Sequence, residues 1–276
     1  PANFTMNFRV HWDQEAGGNI NFNLADDYNL KDALPVNLAD TLDGLAVLGK
    51  ELSIFEPGSN QSVIVDSDNT ANFNIYDDVT LLSNSAEQLL VAVGVSEQNI
   101  KIAAWRIGRE GKITFLDSLE NENLQLTSNP ILVDQAVIVG VSDDNDNYIY
   151  KYELNNNAIE LNVNSVPSQL IALAGNADNF YYLADGTIGK INTADLEYIE
   201  LINDGDITGK NLLLGYTYHP DQPDLIYYGN ETLGLIKDIG GENTLNTLSM
   251  KTITGVSLSD IDDDSRVEIL VAQENE

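Results

Sequence analysis

A short hydrophobic run that ends in a small or polar residue recurs along this chain at a nearly constant spacing. The six copies read LAVLG, LVAVG, VIVG, FYYLA, LIYYG and ILVAQ, and they end at positions 49, 94, 140, 184, 229 and 273. The period is therefore about 45 residues, which is typical of one blade of a β-propeller. Since each blade is a four-stranded sheet, the repeat predicts an all-β fold, a β-propeller of about six blades.

A second strand candidate follows most copies after a short polar turn. These candidates are 51–56, 100–107, 148–154, 187–191 and 232–237. Several of them alternate apolar and polar residues, as half-buried strands do. A β-sandwich with evenly spaced strands is the alternative that this pattern leaves open.

The two ends of the chain predict how the ring closes. The last hydrophobic run has no strand partner after it, and the N-terminus carries two unassigned strand candidates, Phe4 to Trp12 and Ile20 to Leu24. A propeller must join its first and last blades or leave exposed edges. We therefore predict a single domain over 1–276 in which the strands of residues 4–24 complete the blade that begins near Thr252. The alternative is a ring closed by sequence outside this chain.

The net charge of −31 at pH 7 limits the partners of this chain. Such a field repels phosphates, so nucleic acid and anionic membrane surfaces are disfavoured. Clustered carboxylates instead supply the hard oxygen ligands that Ca²⁺ needs. The chain has no cysteine, so disulfides and thiolate metal sites are ruled out, and no apolar run approaches the length of about 20 residues that a membrane span needs.

The acidic segment 260–268 is the sharpest local motif. Acids at alternate positions of a tight loop converge on one centre, and a later carboxylate can close the shell. The predicted Ca²⁺ ligands are the side chains of Asp260, Asp262, Asp264 and Glu268 and the backbone carbonyl of Arg266. The loop resembles the calcium loops of integrin-type (FG-GAP) propellers, although Asp263 and Ser265 stand where those loops usually have glycine. An exposed acidic turn is the alternative.

Other polar features give weaker signals. The acidic segments 66–70 and 143–146 lack a closing acid, so we interpret both as solvated hairpin turns. The two histidines, His11 and His219, have no serine elbow or zinc-ligand spacing beside them. The tyrosine pairs at 181–182 and 227–228 are interpreted as packing within the blades rather than as a sugar platform.

Several segments, in order, resemble the β-propeller phytases, which are calcium-dependent bacterial enzymes that hydrolyse inositol hexakisphosphate. The similar segments are the GLAV run and Gly-Lys turn of 44–50, residues 90–116, the YKYEL strand of 150–154, residues 183–191, and the VAQEN segment of 271–275. The resemblance covers most of the chain, and it rests on order and spacing. It implies a secreted or periplasmic bacterial protein, with Asp185 and Glu274 as further candidate metal or ligand contacts.

The chain departs from this family where phosphate would bind. Thr41 and Leu42 replace paired lysines, Ser96 stands where an arginine is expected, and Asp143 and Asp144 replace a lysine. Since phosphoryl chemistry depends on cations around the phosphate, catalysis is expected to be weak or absent. Some members of the family are tandem enzymes with a degenerate first propeller, and this chain resembles that degenerate domain.

Three functions follow as hypotheses. The leading one is a calcium-binding, phytase-like accessory domain that assists a catalytic propeller in the same chain and binds an inositol phosphate or polysaccharide ligand. The second is a calcium-dependent adhesion or carbohydrate-binding module of the FG-GAP type. The third is an active phosphatase with relocated basic residues, drawn from Lys101, Arg106 and Arg109.

Overall fold

The structure is a computed structural model that describes most of the chain. The described residues are 6–8, 20–22, 29–39, 42–56, 63–84, 86–108, 110–176, 180–205, 207, 209–219, 222–237, 244–260 and 266–274. Every helical or extended element in these ranges is a β-strand. The chain divides into two compact units, residues 1–125 with 153–160 and residues 126–152 with 161–276. The prediction of a single domain over 1–276 stays a prediction.

The first unit contains two four-stranded sheets and a short hairpin. Strands β1 (Met6–Phe8) and β2 (Ile20–Phe22) pair with each other. One sheet has the order β3-β4-β5-β6 and the other β7-β8-β9-β10. Their strands are β3 (Asp32–Ala39), β4 (Leu42–Leu48), β5 (Leu52–Glu56), β6 (Val63–Asp68), β7 (Asp78–Asn84), β8 (Leu89–Val95), β9 (Asn99–Ile107) and β10 (Ile113–Glu122).

The next sheet along the chain is five-stranded. It runs in the order β11-β13-β14-β15, with β12 also paired to β13. Its strands are β11 (Gln125–Leu126), β12 (Ile131–Val133), β13 (Ala136–Ser142), β14 (Asn147–Asn155) and β15 (Ala158–Val166).

The second unit continues with two further four-stranded sheets and a final strand pair. The sheets have the orders β16-β17-β18-β19 and β20-β21-β22-β23, and β24 pairs with β25. The strands are β16 (Ala172–Gly175), β17 (Phe180–Ala184), β18 (Thr187–Ile191), β19 (Tyr198–Asn203), β20 (Asn211–His219), β21 (Gln222–Tyr228), β22 (Thr232–Lys237), β23 (Thr244–Ser249), β24 (Ile253–Ser259) and β25 (Glu268–Gln273).

The strands predicted from the repeat are confirmed. Each hydrophobic run falls in the second strand of its sheet, or in β13 of the five-stranded sheet, and each second strand candidate falls in the strand that follows. The first five runs are largely buried, as along Leu89–Gly94 and Phe180–Ala184, which accounts for their strongly apolar composition. The last run lies in β25, whose residues are half-buried or exposed. The described strands form seven sheets instead of the two of a β-sandwich, so the sandwich alternative is wrong.

Tyrosine packing repeats with the blade period in the second unit. Tyr182 pairs across strands with Gly189, and Tyr227 pairs with Gly234. A Cβ atom added to Gly189 or Gly234 would collide with the ring of the paired tyrosine. Both rings are buried, as is that of Tyr181. The interpretation of these tyrosines as packing within blades is confirmed, although Tyr228 is only half-buried.

The closure of the ring is still a prediction. The N-terminal strand candidates are present as the shorter strands β1 and β2, which pair with each other. Strands β24 and β25 likewise pair with each other in a register from Ile253 with Gln273 to Ser259 with Glu268. Within the described ranges we find no helix with the length and apolar character that crossing a membrane requires.

Candidate functional sites

The predicted calcium loop connects β24 to β25. In this hairpin Ser259 is paired with Glu268, so the last acid of the motif returns beside the residue that precedes the first acid, Asp260. Asp260 and Arg266 are exposed and Glu268 is half-buried, while Asp262 and Asp264 lie outside the described residues. The sheet register therefore puts the opening and closing acids of the motif at the same end of the hairpin.

One side of this hairpin is held by strand β20. The Val267 N–H donates a hydrogen bond to the Tyr216 carbonyl over 3.2 Å. A Cβ atom added to Gly215 would lie 2.8 Å from Leu258 Cδ1 and 3.0 Å from Val267 Cγ2. Because glycine lacks this atom, β20 can approach both β24 and the residue before β25 closely. These contacts of Leu258 and Val267 hold the base of the hairpin against β20.

The remaining predicted ligands belong to other places in the fold. Asp185 is exposed in the turn between β17 and β18, next to Gly186, whose φ of +66° favours glycine. Glu274 is exposed just after β25, and its N–H donates to the Thr252 carbonyl over 3.0 Å. Among the residues that the structure describes, no group of three or more His, Cys, Asp or Glu side chains could hold a metal ion.

The acidic segment 66–70 differs from the exposed turn that we predicted. Asp66 and Asp68 lie at the end of strand β6 and are half-buried. Asp66 Oδ2 accepts the Ile113 N–H over 2.9 Å, and Asp68 Oδ1 accepts the Trp105 Nε1–H over 3.1 Å. These carboxylates therefore connect two neighbouring sheets, because a buried N–H needs an acceptor when water is absent.

The same device recurs one sheet further along. Asp117 Oδ2 accepts the Ile159 N–H over 2.8 Å, while its Oδ1 accepts the Ser118 N–H over 2.8 Å. Asp66 likewise takes the N–H of its neighbour Ser67 over 3.0 Å. Both aspartates follow a β-bulge in the outermost strand, and both occur in an Asp-Ser pair. Sequence reasoning missed this role. The Asp-Ser pair that recurs within a strand pattern is the signal that could have revealed it.

The acidic segment 143–146 is an exposed hairpin turn, as predicted. Asp143 Oδ1 accepts the N–H groups of Asn145 and Asp146, each over 2.8 Å. Asp143 Oδ2 accepts the Tyr148 hydroxyl over 3.1 Å. These backbone hydrogen bonds lower the pKa of Asp143, because they stabilise its charged form.

Three lysines are committed to loop backbone. Lys31 Nζ donates to the Tyr76 carbonyl over 2.6 Å, Lys101 Nζ to the Asn72 carbonyl over 3.0 Å, and Lys151 Nζ to the Thr193 carbonyl over 3.1 Å. Lys101 also lies over the rings of Phe73 and Tyr76, with Nζ 5.4 Å and 5.9 Å from their centroids. Each ammonium thus stabilises a loop between two strands. A phosphate would have to compete with the loop carbonyl for the hydrogen bond of that ammonium.

The segment beneath Lys101 is a closely packed aromatic corner. Phe73 and Tyr76 are buried, and a Cβ atom on Gly94 would lie 2.5 Å from Phe73 Cδ1. The Tyr76 hydroxyl donates to Glu120 Oε1 over 2.6 Å. Burial, together with the Glu120 carboxylate, raises the pKa of Tyr76. The phenol is therefore a neutral hydrogen-bond donor, and it serves the packing of this corner.

A row of tyrosines follows one face of β14. The ring centroids of Tyr148 and Tyr150 are 6.2 Å apart, and those of Tyr150 and Tyr152 are 6.0 Å apart. Tyr152 is buried, whereas Tyr148 and Tyr150 are half-buried. Burial and the nearby Asp143 carboxylate raise the pKa values of both half-buried phenols. This row is a partly accessible aromatic surface with hydroxyl groups, and the Tyr148 hydroxyl lies beside the Asp143 carboxylate.

These features define an all-β protein with a propeller-like fold. No protein-family model matches the chain. A search of curated proteins finds no match. Among solved structures, one assigned as a 6-phosphogluconolactonase from Bacteroides fragilis is 15% identical, with a TM-score of 0.58 over 95% of this chain and 82% of that chain. Another, the AfRom2 CNH domain, is 10% identical, with a TM-score of 0.49 over 96% of this chain and 85% of that chain. The first likeness supports the propeller-like fold, and it is silent on activity.

Proposed function

We propose that this chain is a six-bladed, phytase-like β-propeller that binds Ca²⁺ and works as an accessory domain with weak or no catalysis. The repeat of about 45 residues and the succession of meandering four-stranded sheets support a propeller. If the β1–β2 hairpin joins the β24–β25 pair, the sheets amount to six blades.

The register of the β24–β25 hairpin is the observation that carries the calcium assignment. It pairs Glu268 with Ser259, the residue before Asp260, which supports a loop whose first and last acids lie at the same end of the hairpin. Ca²⁺ is bound by several oxygen ligands that approach from one tight loop and one later acid. The net charge of −31 further favours a cation over an anion.

The environments of the lysines support an accessory role. Lys101, which could have taken part in a relocated phosphatase site, donates to the Asn72 carbonyl and lies over two aromatic rings. A polyanionic substrate needs cations directed toward its phosphates. We therefore propose that an inositol phosphate is bound through bridging Ca²⁺, next to a catalytic propeller in the same secreted or periplasmic protein.

Calorimetry with Ca²⁺ tests the metal assignment. Asp262→Ala is expected to abolish one binding event, whereas Asp144→Ala, which changes the exposed acidic turn of 143–146, is expected to leave it intact. The two variants lower the negative charge equally, so a general electrostatic effect would weaken binding in both. Equal Ca²⁺ binding by Asp262→Ala and the unaltered chain would remove the assignment.

An assay of phosphate release from phytate tests the accessory role. With excess Ca²⁺ and a high protein concentration, we expect no release above the protein-free rate. Steady release that disappears in Lys101→Met would instead favour the active phosphatase.

The row of tyrosines favours one alternative, a calcium-dependent carbohydrate-binding or adhesion module. Tyr148 and Tyr150 are half-buried and lie beside Asp143, and such aromatic surfaces with polar edges suit sugar rings. Binding of a neutral oligosaccharide such as cellohexaose that is lost in Tyr150→Ala, with no binding of phytate, would favour this module over the phytase-like one.

A further inference from the structure

The outermost strands of most sheets carry features that discourage another strand from pairing. Exposed strand edges invite association, and bulges and charges are the usual protection. Strands β6, β10 and β19 each contain a register irregularity, next to Asp66, Asp117 and Glu200 respectively. Strand β15 carries Glu160. A partner backbone would meet a kink or a carboxylate at each of these edges.

Strand β23 differs from these four. It pairs with β22 in an unbroken register from Thr232 with Ser249 to Lys237 with Thr244. Its sequence, TLNTLS, has no charged residue, in a chain where 21% of residues are charged. All of its side chains are exposed except that of Leu245, which is half-buried, and Leu248 is 61% exposed. This edge is therefore straight, neutral and partly apolar.

Among the described residues, the backbone groups of β23 that point away from β22 have no strand partner, and a hydrogen bond just after the strand shows which groups these are. The Met250 N–H donates to the Glu231 carbonyl, toward β22. Backbone groups alternate in direction along a strand, so the N–H and carbonyl groups of Leu248 and Asn246 also point toward β22. Leu245, Thr247 and Ser249 then present their N–H and carbonyl groups outward. An added strand forms its hydrogen bonds with every second residue of its neighbour, and these three residues have that spacing.

We propose that β23 is a docking edge for an extended, positively charged polypeptide segment, which adds to the sheet as a fifth strand. The main chain of the partner would pair with Leu245, Thr247 and Ser249, and an apolar side chain would cover Leu248, as in other cases of strand addition. The charge of the chain decides between occupants. A second copy would bring its own charge of −31 and be repelled, whereas a lysine-rich segment is attracted.

The test uses a synthetic peptide that alternates lysine with valine or threonine, is blocked at both ends and has about six residues, the usual strand length. Its binding to the full chain is followed by fluorescence anisotropy. A second peptide of the same sequence and charge carries N-methyl groups on alternate amides. We expect at least about tenfold weaker binding of the methylated peptide, equivalent to about 1.4 kcal/mol. Equal binding of both would mean general charge attraction and would overturn the proposal.

Two variants of the chain locate the edge. Thr247→Pro removes the central outward N–H and leaves the donors that face β22, since proline is tolerated on the solvent side of edge strands. Thr247→Val removes the hydroxyl that lies 3.4 Å from Tyr227 Oη but keeps the N–H. We expect about tenfold weaker peptide binding for Thr247→Pro and an unchanged affinity for Thr247→Val.

The affinity of Thr247→Pro is interpreted only if thermal melting shows that the variant is folded at the temperature of the binding assay. Unchanged affinity in a folded Thr247→Pro chain would overturn the proposal. If that variant does not fold, Leu248→Lys replaces it, because a lysine on the edge repels the cationic peptide. Dimerisation of the unaltered chain through β23 at high salt, without peptide binding, would also overturn the choice of occupant.

Discussion

The close approach of the Tyr227 ring to Gly234 predicts that a side chain at position 234 lowers the free energy of unfolding. Tyr227 is fully buried, and its ring lies across the neighbouring strand where Gly234 has no side chain. A Cβ atom at Gly234 would overlap with Cε1 and Cζ of this ring. Gly234→Ala therefore forces the ring to move inside a packed core that includes Ile236 and Leu225.

Two opposing effects set the size of the change. Inserting a methyl group into a well-packed core costs about 1–3 kcal/mol. Replacing glycine by alanine in a backbone that alanine can adopt returns about 0.4–1 kcal/mol through the unfolded chain. We expect a net loss of about 0–2.6 kcal/mol in the free energy of unfolding, and each kcal/mol lowers Tm by about 2–4 °C in a chain of this size.

The matched control is Gly255→Ala in strand β24. A Cβ atom there has no neighbour within 4 Å among the described residues, so the same substitution should be neutral or slightly stabilising. Urea unfolding of both variants gives the free energies, and Tyr227→Leu completes a double-mutant cycle. In the Tyr227→Leu background, we expect Gly234→Ala to lose most of its cost. A Gly234→Ala variant as stable as Gly255→Ala, or a cycle without coupling, would refute the reasoning.

Three further predictions concern the acids, the tyrosines and the chain ends. Asp117→Ala should lower the free energy of unfolding by about 1.5–3 kcal/mol, because it removes the charged acceptor of the Ile159 N–H. The control Asp195→Ala, which loses a local hydrogen bond from the Glu197 N–H, should change the free energy of urea unfolding little. Equal losses in the two variants would contradict the role of Asp117. Burial raises the pKa values of Tyr181 and Tyr182 to about 12. The stability that their neutral forms contribute is therefore complete below the ordinary tyrosine pKa of about 10 and is lost as the pH rises toward about 12. Absorbance at 295 nm should show both phenols ionising together with unfolding, and their ionisation near pH 10 in a folded chain would contradict this. Deletion of residues 1–24 should lower Tm and cause association if these strands complete the last blade; an unchanged Tm in a monomeric product would argue for closure by other sequence.

The sequence predicted the inner strands well because their signal is local. Runs such as Leu89–Gly94 are apolar at every position, and a strand buried on both faces needs that pattern. Tyr182 and Tyr227 could be assigned to packing for the same reason, since they stand inside such runs. The acids at alternate positions of 260–268, which predict a calcium loop, are equally visible in the sequence, and the hairpin register adds that Glu268 pairs with Ser259.

The roles of individual polar groups depended on pairing between distant segments. Asp66 looked like part of an exposed acidic turn, yet its carboxylate accepts an N–H from a residue 47 positions later. Lys101 looked available for phosphate, yet it donates to the Asn72 carbonyl. No local pattern specifies such partners, because they are fixed only when neighbouring sheets come together.

By itself, the sequence determined the all-β class, the period of about 45 residues and the positions of the inner strands, because hydrophobic periodicity acts within a few residues of itself. The tertiary structure decided which acids join sheets, which lysines bond to loop carbonyls and which last strand keeps an unbroken register with its neighbour. Strand β23 illustrates the difference: its composition is visible in the sequence, but its straight register with β22 and its place at the edge of a sheet come only from how the strands pair.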